Sequence, residues 1–346
     1  PTRQWAGPHA RAYQWLQGEK NLALIQLATN GAVRFFDEAE MPYEISWVHL
    51  PFHCPEAYRK LFTTCVPHSA NCRYGAMDSL LRPVAVPDVA TCYVSERFAL
   101  GSFVRCDTWN QRRNVLAYWG GDNPRFLSCR LLHDFYDFSS GMLTVAQKEG
   151  KALIAASLIT DGGDTHCNLD MVQNATIRAR DLRLRVELGN LEGALHTEGD
   201  RAILHDGELS MAFVLAGGSF DGRALALSQG DSSDPAVATA LAVGQEKRVS
   251  QRETRRAYLD IVFYHGEETF IDMSALRDAY AVLALSMGDD AGLAGQSLVL
   301  ENGKISASVQ AGNDILKVVA PAKPVRRAQW AAKAYVNGVD LDERDA

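Results

Sequence analysis

The chain contains no apolar run of about 18 residues, the least that crosses a membrane as a helix, and no basic-then-apolar leader. It also lacks an excess of positive charge. Its net charge of −7 argues against nucleic-acid binding through overall electrostatics and leaves only a local basic cleft for an acidic polymer. GxSxG, Walker, GxGxxG and HExxH patterns are missing, which removes the serine-hydrolase, P-loop, dinucleotide-binding and zincin readings. CxxC is missing as well: the seven cysteines, at 54, 65, 72, 92, 106, 129 and 167, have neither zinc-ribbon nor thioredoxin spacing. An odd count leaves at least one thiol unpaired unless it bonds another chain. Cys92, Cys106 and Cys129 lie in strand-like runs where buried free thiols are common, and a disulfide from Cys54 or Cys65 to Cys72 stays open. No internal repeat or low-complexity tract is present, which sets solenoids aside. The chain opens on Pro1 rather than Met, which points to a processed product or part of something longer.

What is present can build a large core. A length of 346 residues at 47% hydrophobic content fits two or three units of roughly 100–200 residues each. Residues 1–83 read as a helical or irregular N-terminal segment, 84–288 as a large antiparallel β-sandwich and 289–346 as a C-terminal β-hairpin extension. Over 1–31, Pro8 suits a first helical turn and Asn30-Gly31 an end, with a further helical stretch after Pro55. Residues 42–90 otherwise read as a connecting segment. From Pro83 onward, short β-branched and aromatic runs broken by Gly, Asn and Asp place strands near 89–95, 99–106, 114–119, 125–133, 142–148, 151–160, 175–188, 209–216 and 256–265. In TIRARDLRLRVEL (176–188), Leu182, Leu184, Val186 and Leu188 alternate with Arg183, Arg185 and Glu187. That pattern predicts one buried face, one basic face and a bulge near Arg180-Asp181. Residues 217–250 read as a long excursion, SALRDAYAVLALSMG (274–288) as a Ser-capped helix, and LVLENGKISASVQ (298–310) as a hairpin turning at Asn302-Gly303. The charged tail after Pro321 reads as an edge covering.

Three stretches carry chemistry. GPHARAY (7–13) places His9 and Tyr13 one helical turn apart beside Arg11, an arrangement in which cationic neighbours lower a phenol's pKa toward a proton-transfer role; a capped helix start with a packed tyrosine explains the same residues. HDFYDF (133–138) brings His133, Asp134, Tyr136 and Asp137 together only if a turn interrupts the strand, since side chains alternate. A metal would need His133 or His166 to converge with Asp137, Asp161 or Asp164. The turn TDGGDTH (160–166) supplies oxygens suited to calcium or manganese, although two adjacent glycines are also what a plain tight turn uses. WNQRR (109–113) sets Trp109, Asn110, Arg112 and Arg113 together. Guanidinium groups pair bidentately with carboxylates and indole stacks on sugar rings, so the stretch fits a uronate-bearing polymer; arginines paired to HDFYDF are the plainer account.

WAGPHARAY, ALGSF..CDTWNQRR..LAYWG and LLHDFYDFSSG...DGGDTH together resemble polysaccharide lyase-like proteins of the heparinase II/III-like and chondroitin lyase-like group, over roughly residues 1–190. In that group an (α/α) toroid precedes a large antiparallel super-sandwich, and most of a toroid is missing from this chain, which implies a missing helical domain or a second chain as partner. The resemblance implies β-elimination on an acidic polysaccharide or oligosaccharide. It casts Tyr13 and Tyr136 as base and acid, and His9, His133, Asn110, Arg112 and Arg113 as the groups neutralising the uronate carboxylate. It requires no cofactor and favours a secreted or periplasmic setting. A non-catalytic carbohydrate-binding sandwich, or a glycoside hydrolase using Asp134 or Asp137 with a second carboxylate, draws on the same residues.

Overall fold

The computed structural model describes residues 67–74, 88–105, 114–120, 125–134, 136–138, 140–162, 172, 174–231, 256–288 and 292–343. The helix expected over 1–31 and the one after Pro55 lie outside them. In chain order the strands are β1 His68–Tyr74, β2 Asp88–Val94, β3 Phe98–Phe103, β4 Val115–Trp119, β5 Arg125–His133, β6 Tyr136–Asp137 and β7 Gly141–Lys148. Then come β8 Lys151–Leu158, β9 Thr176–Gly189, β10 Ala194–Glu198, β11 Arg201–Asp206, β12 Leu209–Phe220, β13 Arg223–Ala224 and β14 Leu227–Asp231. The last are β15 Arg256–Asp272, β16 Ala279–Met287, β17 Leu293–Glu301, β18 Lys304–Ala311, β19 Asp314–Pro321, β20 Lys333–Val336 and β21 Val339–Asp340. The protein is mainly β, as its sequence pattern demands.

Three antiparallel sheets stack in layers. A nine-stranded sheet runs β1-β2-β3-β4-β5-β9-β15-β14 with β6 beside β5; a seven-stranded sheet runs β10-β11-β12-β16-β8-β7 with β13 beside β12; a five-stranded sheet runs β17-β18-β19-β20-β21. The first core lies between the nine- and seven-stranded sheets and is large and branched, with Leu127, Leu182, Leu184, Phe213, Phe263, Leu283 and Leu285. The second lies between the seven- and five-stranded sheets and is built of smaller residues, among them Ala155, Ala212, Val282, Ala284, Ala307, Val318 and Ala334. Within the seven-stranded sheet, β7, β8 and β16 are therefore buried on both faces.

That middle position explains the clearest departure from the sequence reading. Residues 279–287 form strand β16 and not a helix. Along it Ala279, Ala281, Leu283 and Leu285 enter the first core while Tyr280, Val282 and Ala284 enter the second. With no polar face, the period-2 signal disappears, and a continuous Ala-Leu run reads as helix. Two further corrections apply. The segment read as connecting contains β1, and the excursion expected from 217 begins as strand, since β12 continues to Phe220 and β13 and β14 follow. The tail after Pro321 contributes β20 and β21, and Arg105 grips Asp342 there through two hydrogen bonds of 2.7 Å.

Other expectations hold. β5 spans Arg125–His133 as read, and the 298–310 hairpin turns at Asn302 and Gly303, both with positive φ (52° and 72°) as a tight two-residue hairpin requires. The bulge in β9 is also present. Ile177 and Ala179 face the first core, then Leu182, Leu184, Val186 and Leu188 do, so Arg180 and Asp181 fall consecutively on the outer face. Of the strand thiols expected to be buried, Cys129 is fully buried, and burial pushes its thiol up to about 12, whereas Cys92 departs from the reading and is exposed on β2.

Candidate functional site

The face of the nine-stranded sheet turned away from the first core carries charge where a buried layer would carry carbon. On β9 it presents Asp181, Arg183, Arg185 and Glu187, each at most 8% exposed. Pairing aligns Asp260 of β15 with Arg185, and Arg130 of β5 with Arg185 from the other side. Arg183 donates to Asp181 through Nε (2.6 Å) and a second, shorter contact, and to Asp260 at 2.6 Å. Arg185 grips Asp260 with two bonds of 2.7 and 2.6 Å, and Glu187 is bridged by Arg130 at 3.1 Å and Arg256 at 2.8 Å. Taking these charges out of water is expensive, and only pairing offsets the cost, so removal of one partner is far more damaging than the presence of the pair is stabilising. Burial works against the Arg183 cation, but hydrogen bonds and charge from Asp181 and Asp260 outweigh it, and its pKa stands above that of an ordinary arginine. The Arg185 guanidinium lies over the Tyr258 ring at 4.1 Å. Burial and the Glu187 charge raise the Tyr258 pKa against the opposing arginines, which keeps it a neutral phenol.

Toward one end of the sheet this buried strip opens to solvent. Register shifts in β15, between Val262 and Tyr264 and between His265 and Thr269, free residues 266–268 from the ladder opposite the β9 bulge. Bulges of this kind re-aim side chains. Here they set His265 opposite Asp181, and Phe270 opposite Arg178, on the outer face. The Phe270 side chain is an exposed hydrophobic at 74%. The Arg178 and Arg180 side chains are 62% and 68% exposed and share Glu268, at 2.9 and 3.4 Å. The His265 side chain is 60% exposed, and its Nδ1 lies 2.9 Å from Oδ2 of Asp181, itself 1% exposed. Since an ionised carboxylate only accepts, Nδ1 donates, and in the neutral ring Nε2 is then the nitrogen that carries the lone pair.

The block HDFYDF borders this open end from behind. A turn at Asp134, with φ of 46°, interrupts the strand and pairs His133 with Tyr136 across the two-residue connection. Asp134 Oδ1 accepts from the amides of both Arg180 and Asp181 at 2.8 Å, which satisfies the two consecutive donors that the bulge turns outward. His133 Nε2 donates to the Arg178 carbonyl at 2.9 Å, and its ring packs on Phe138 with centroids 5.1 Å apart. His133 and Asp134 thus hold the backbone that displays Arg178 and Arg180. The Asp134 carboxylate is engaged by backbone amides of β9. Tyr136 lies on β6 as His133's partner. His9, Arg11, Tyr13, Trp109, Asn110, Arg112, Arg113, Asp164 and His166 lie outside the described residues.

The proposed metal turn begins within the described chain. Asp161 Oδ1 accepts from the amide of Arg327 at 2.5 Å, a structural use of that carboxylate. Among the described residues no three His, Cys, Asp or Glu side chains are grouped to hold a metal ion.

Sequence reading identified the basic face of β9 but missed His265, Glu268 and Phe270. The signal was present: YLDIVFYH alternates, and GEETF (266–270) then breaks the alternation with a glycine and two acids, as a strand does when it leaves its ladder. The chain matches no protein-family model and no curated protein. The arrangement defines a three-layer antiparallel protein with two exposed arginines, Arg178 and Arg180, beside an exposed Phe270 at one end of an outer face.

Proposed function

We propose that this protein acts on an acidic polysaccharide, binding it at the open end of the nine-stranded sheet and cleaving it by β-elimination. The observation that supports this reading is the exposed Phe270 beside Arg178 and Arg180 on a face backed by buried arginines. An aromatic ring offers a sugar its flat face, and paired guanidiniums offer a uronate its carboxylate partners. Glu268 rests between the two arginines, where a substrate carboxylate would sit. At side chains this exposed, each such ion pair contributes about 0.2–1 kcal/mol. The same geometry suits elimination, because cations at the uronate carboxylate stabilise the enolate that forms when the adjacent proton leaves.

The test is a panel of polygalacturonate, alginate and hyaluronan followed by ultraviolet absorbance and by reducing-end assay. Elimination raises both signals because it leaves an unsaturated uronate on one fragment and a new reducing end on the other. Reducing ends without absorbance would mean hydrolysis, and binding without either signal would mean a recognition module; each outcome refutes elimination.

A further inference from the structure

We infer that His265 is the residue that accepts the proton in this reaction, with Asp181 as its positioning residue. The inference rests on the function proposed above and deepens it. Among the described residues two histidines border the open end, and their hydrogen bonds separate them. His133 spends Nε2 on the Arg178 carbonyl and packs its ring on Phe138. His265 directs Nδ1 to Asp181 and keeps Nε2 for solvent. A carboxylate on the far nitrogen fixes the imidazole's tautomer and orientation and stabilises the imidazolium once a proton arrives.

Asp181 is itself fixed. Arg183 binds both of its oxygens and is held in turn by Asp260, so the carboxylate cannot rotate away from the imidazole. The bulge beside His265 clears the ladder on its own strand, and among the described residues the charged groups around it are Asp134 at the β5–β6 turn, Arg180, Asp181 and Arg183 on β9, and Glu267 and Glu268 on β15. Arg178 and Arg180 share this face, where they would hold the carboxylate next to the acidic carbon. The step balances without a cofactor. The lone pair on Nε2 takes the proton α to the carboxylate. The electrons of that C–H bond form the enolate and then the ring C=C as the bond to the glycosidic oxygen breaks. The departing oxygen takes a proton from solvent water, and His265 returns its own to solvent, so the net proton count is unchanged.

The experiment compares wild type, His265→Ala, His265→Gln and Asp181→Asn on polygalacturonate, alginate and hyaluronan, with binding followed separately and folding checked by circular dichroism. His265 variants should fold, because the side chain is exposed. Their turnover should fall by about 10²–10⁴-fold, as expected for loss of a general base, with binding retained and with imidazole in the buffer restoring part of the rate to His265→Ala. Asp181→Asn should lower kcat with KM unchanged, a split that mere loosening of the binding face would not give. Cleavage by His265→Ala at the wild-type rate would overturn this inference while leaving the proposed function standing. Binding by wild type with no unsaturated product would overturn the lyase reading and this inference with it.

Discussion

The two outermost faces of the three-layer stack have the same exposure to solvent in principle and opposite compositions in fact. On the five-stranded sheet, β18 and β19 alternate in the ordinary way, with Lys304, Ser306 and Lys317 outward and Ile305, Ala307, Leu316 and Val318 inward. On the nine-stranded sheet the outward residues of β9 from Asp181 to Glu187 are as buried as its inward ones, yet they are arginines and carboxylates. Alternation alone makes the first kind of face. The second kind demands that every charge find its partner across three strands, β5, β9 and β15, and it opens only where paired bulges let Arg178, Arg180, His265 and Phe270 reach solvent. A face that costs so much to assemble is the one to examine for function.

Substitutions should separate the two faces by size of effect. Asp260→Ala leaves Arg183 and Arg185 facing each other without their shared carboxylate, and should cost about 3–5 kcal/mol in denaturant unfolding, as breaking a buried pair does. Asp134→Ala removes the acceptor for two bulge amides at a partly exposed site and should cost about 1–2 kcal/mol, with local loss of amide protection at 180 and 181 in hydrogen exchange. Glu268→Gln weakens the internal competitor for Arg178 and Arg180, and should tighten binding of a uronate polymer several-fold by titration calorimetry. Lys317→Ala on the opposite face should shift stability by no more than about 0.5 kcal/mol, the range of an exposed substitution. A large effect at Lys317 or a small one at Asp260 would erase the distinction between the faces.

How far the sequence carried depended on how local each signal was. Strands with one wet or charged face announced themselves, β9 most clearly, because the alternation of Leu182, Leu184 and Val186 with Arg183, Arg185 and Glu187 needs no tertiary information. β16 did not, since both of its faces are dry and its Ala, Val and Leu residues carry no period. The bulge at Arg180-Asp181 was visible as a break in phase. Its consequence was not, because His265 meets Asp181 across 84 positions of sequence and through two register shifts that no local pattern encodes. HDFYDF stood out for its chemistry, and its described contacts, from His133 and Asp134 to the backbone of β9, place it behind the display of others.

The central claim is that the open end of the nine-stranded sheet receives an acidic polymer. Binding of polygalacturonate at low and high salt, measured side by side for Arg178→Ala/Arg180→Ala and for Lys304→Ala/Lys317→Ala on the opposite face, tests it most directly. The account predicts that wild type binds with an affinity that falls as salt rises, that the arginine pair loses about tenfold or more in affinity at low salt, and that the lysine pair matches wild type. Equal affinity in both double variants, or equal loss in both, would contradict it.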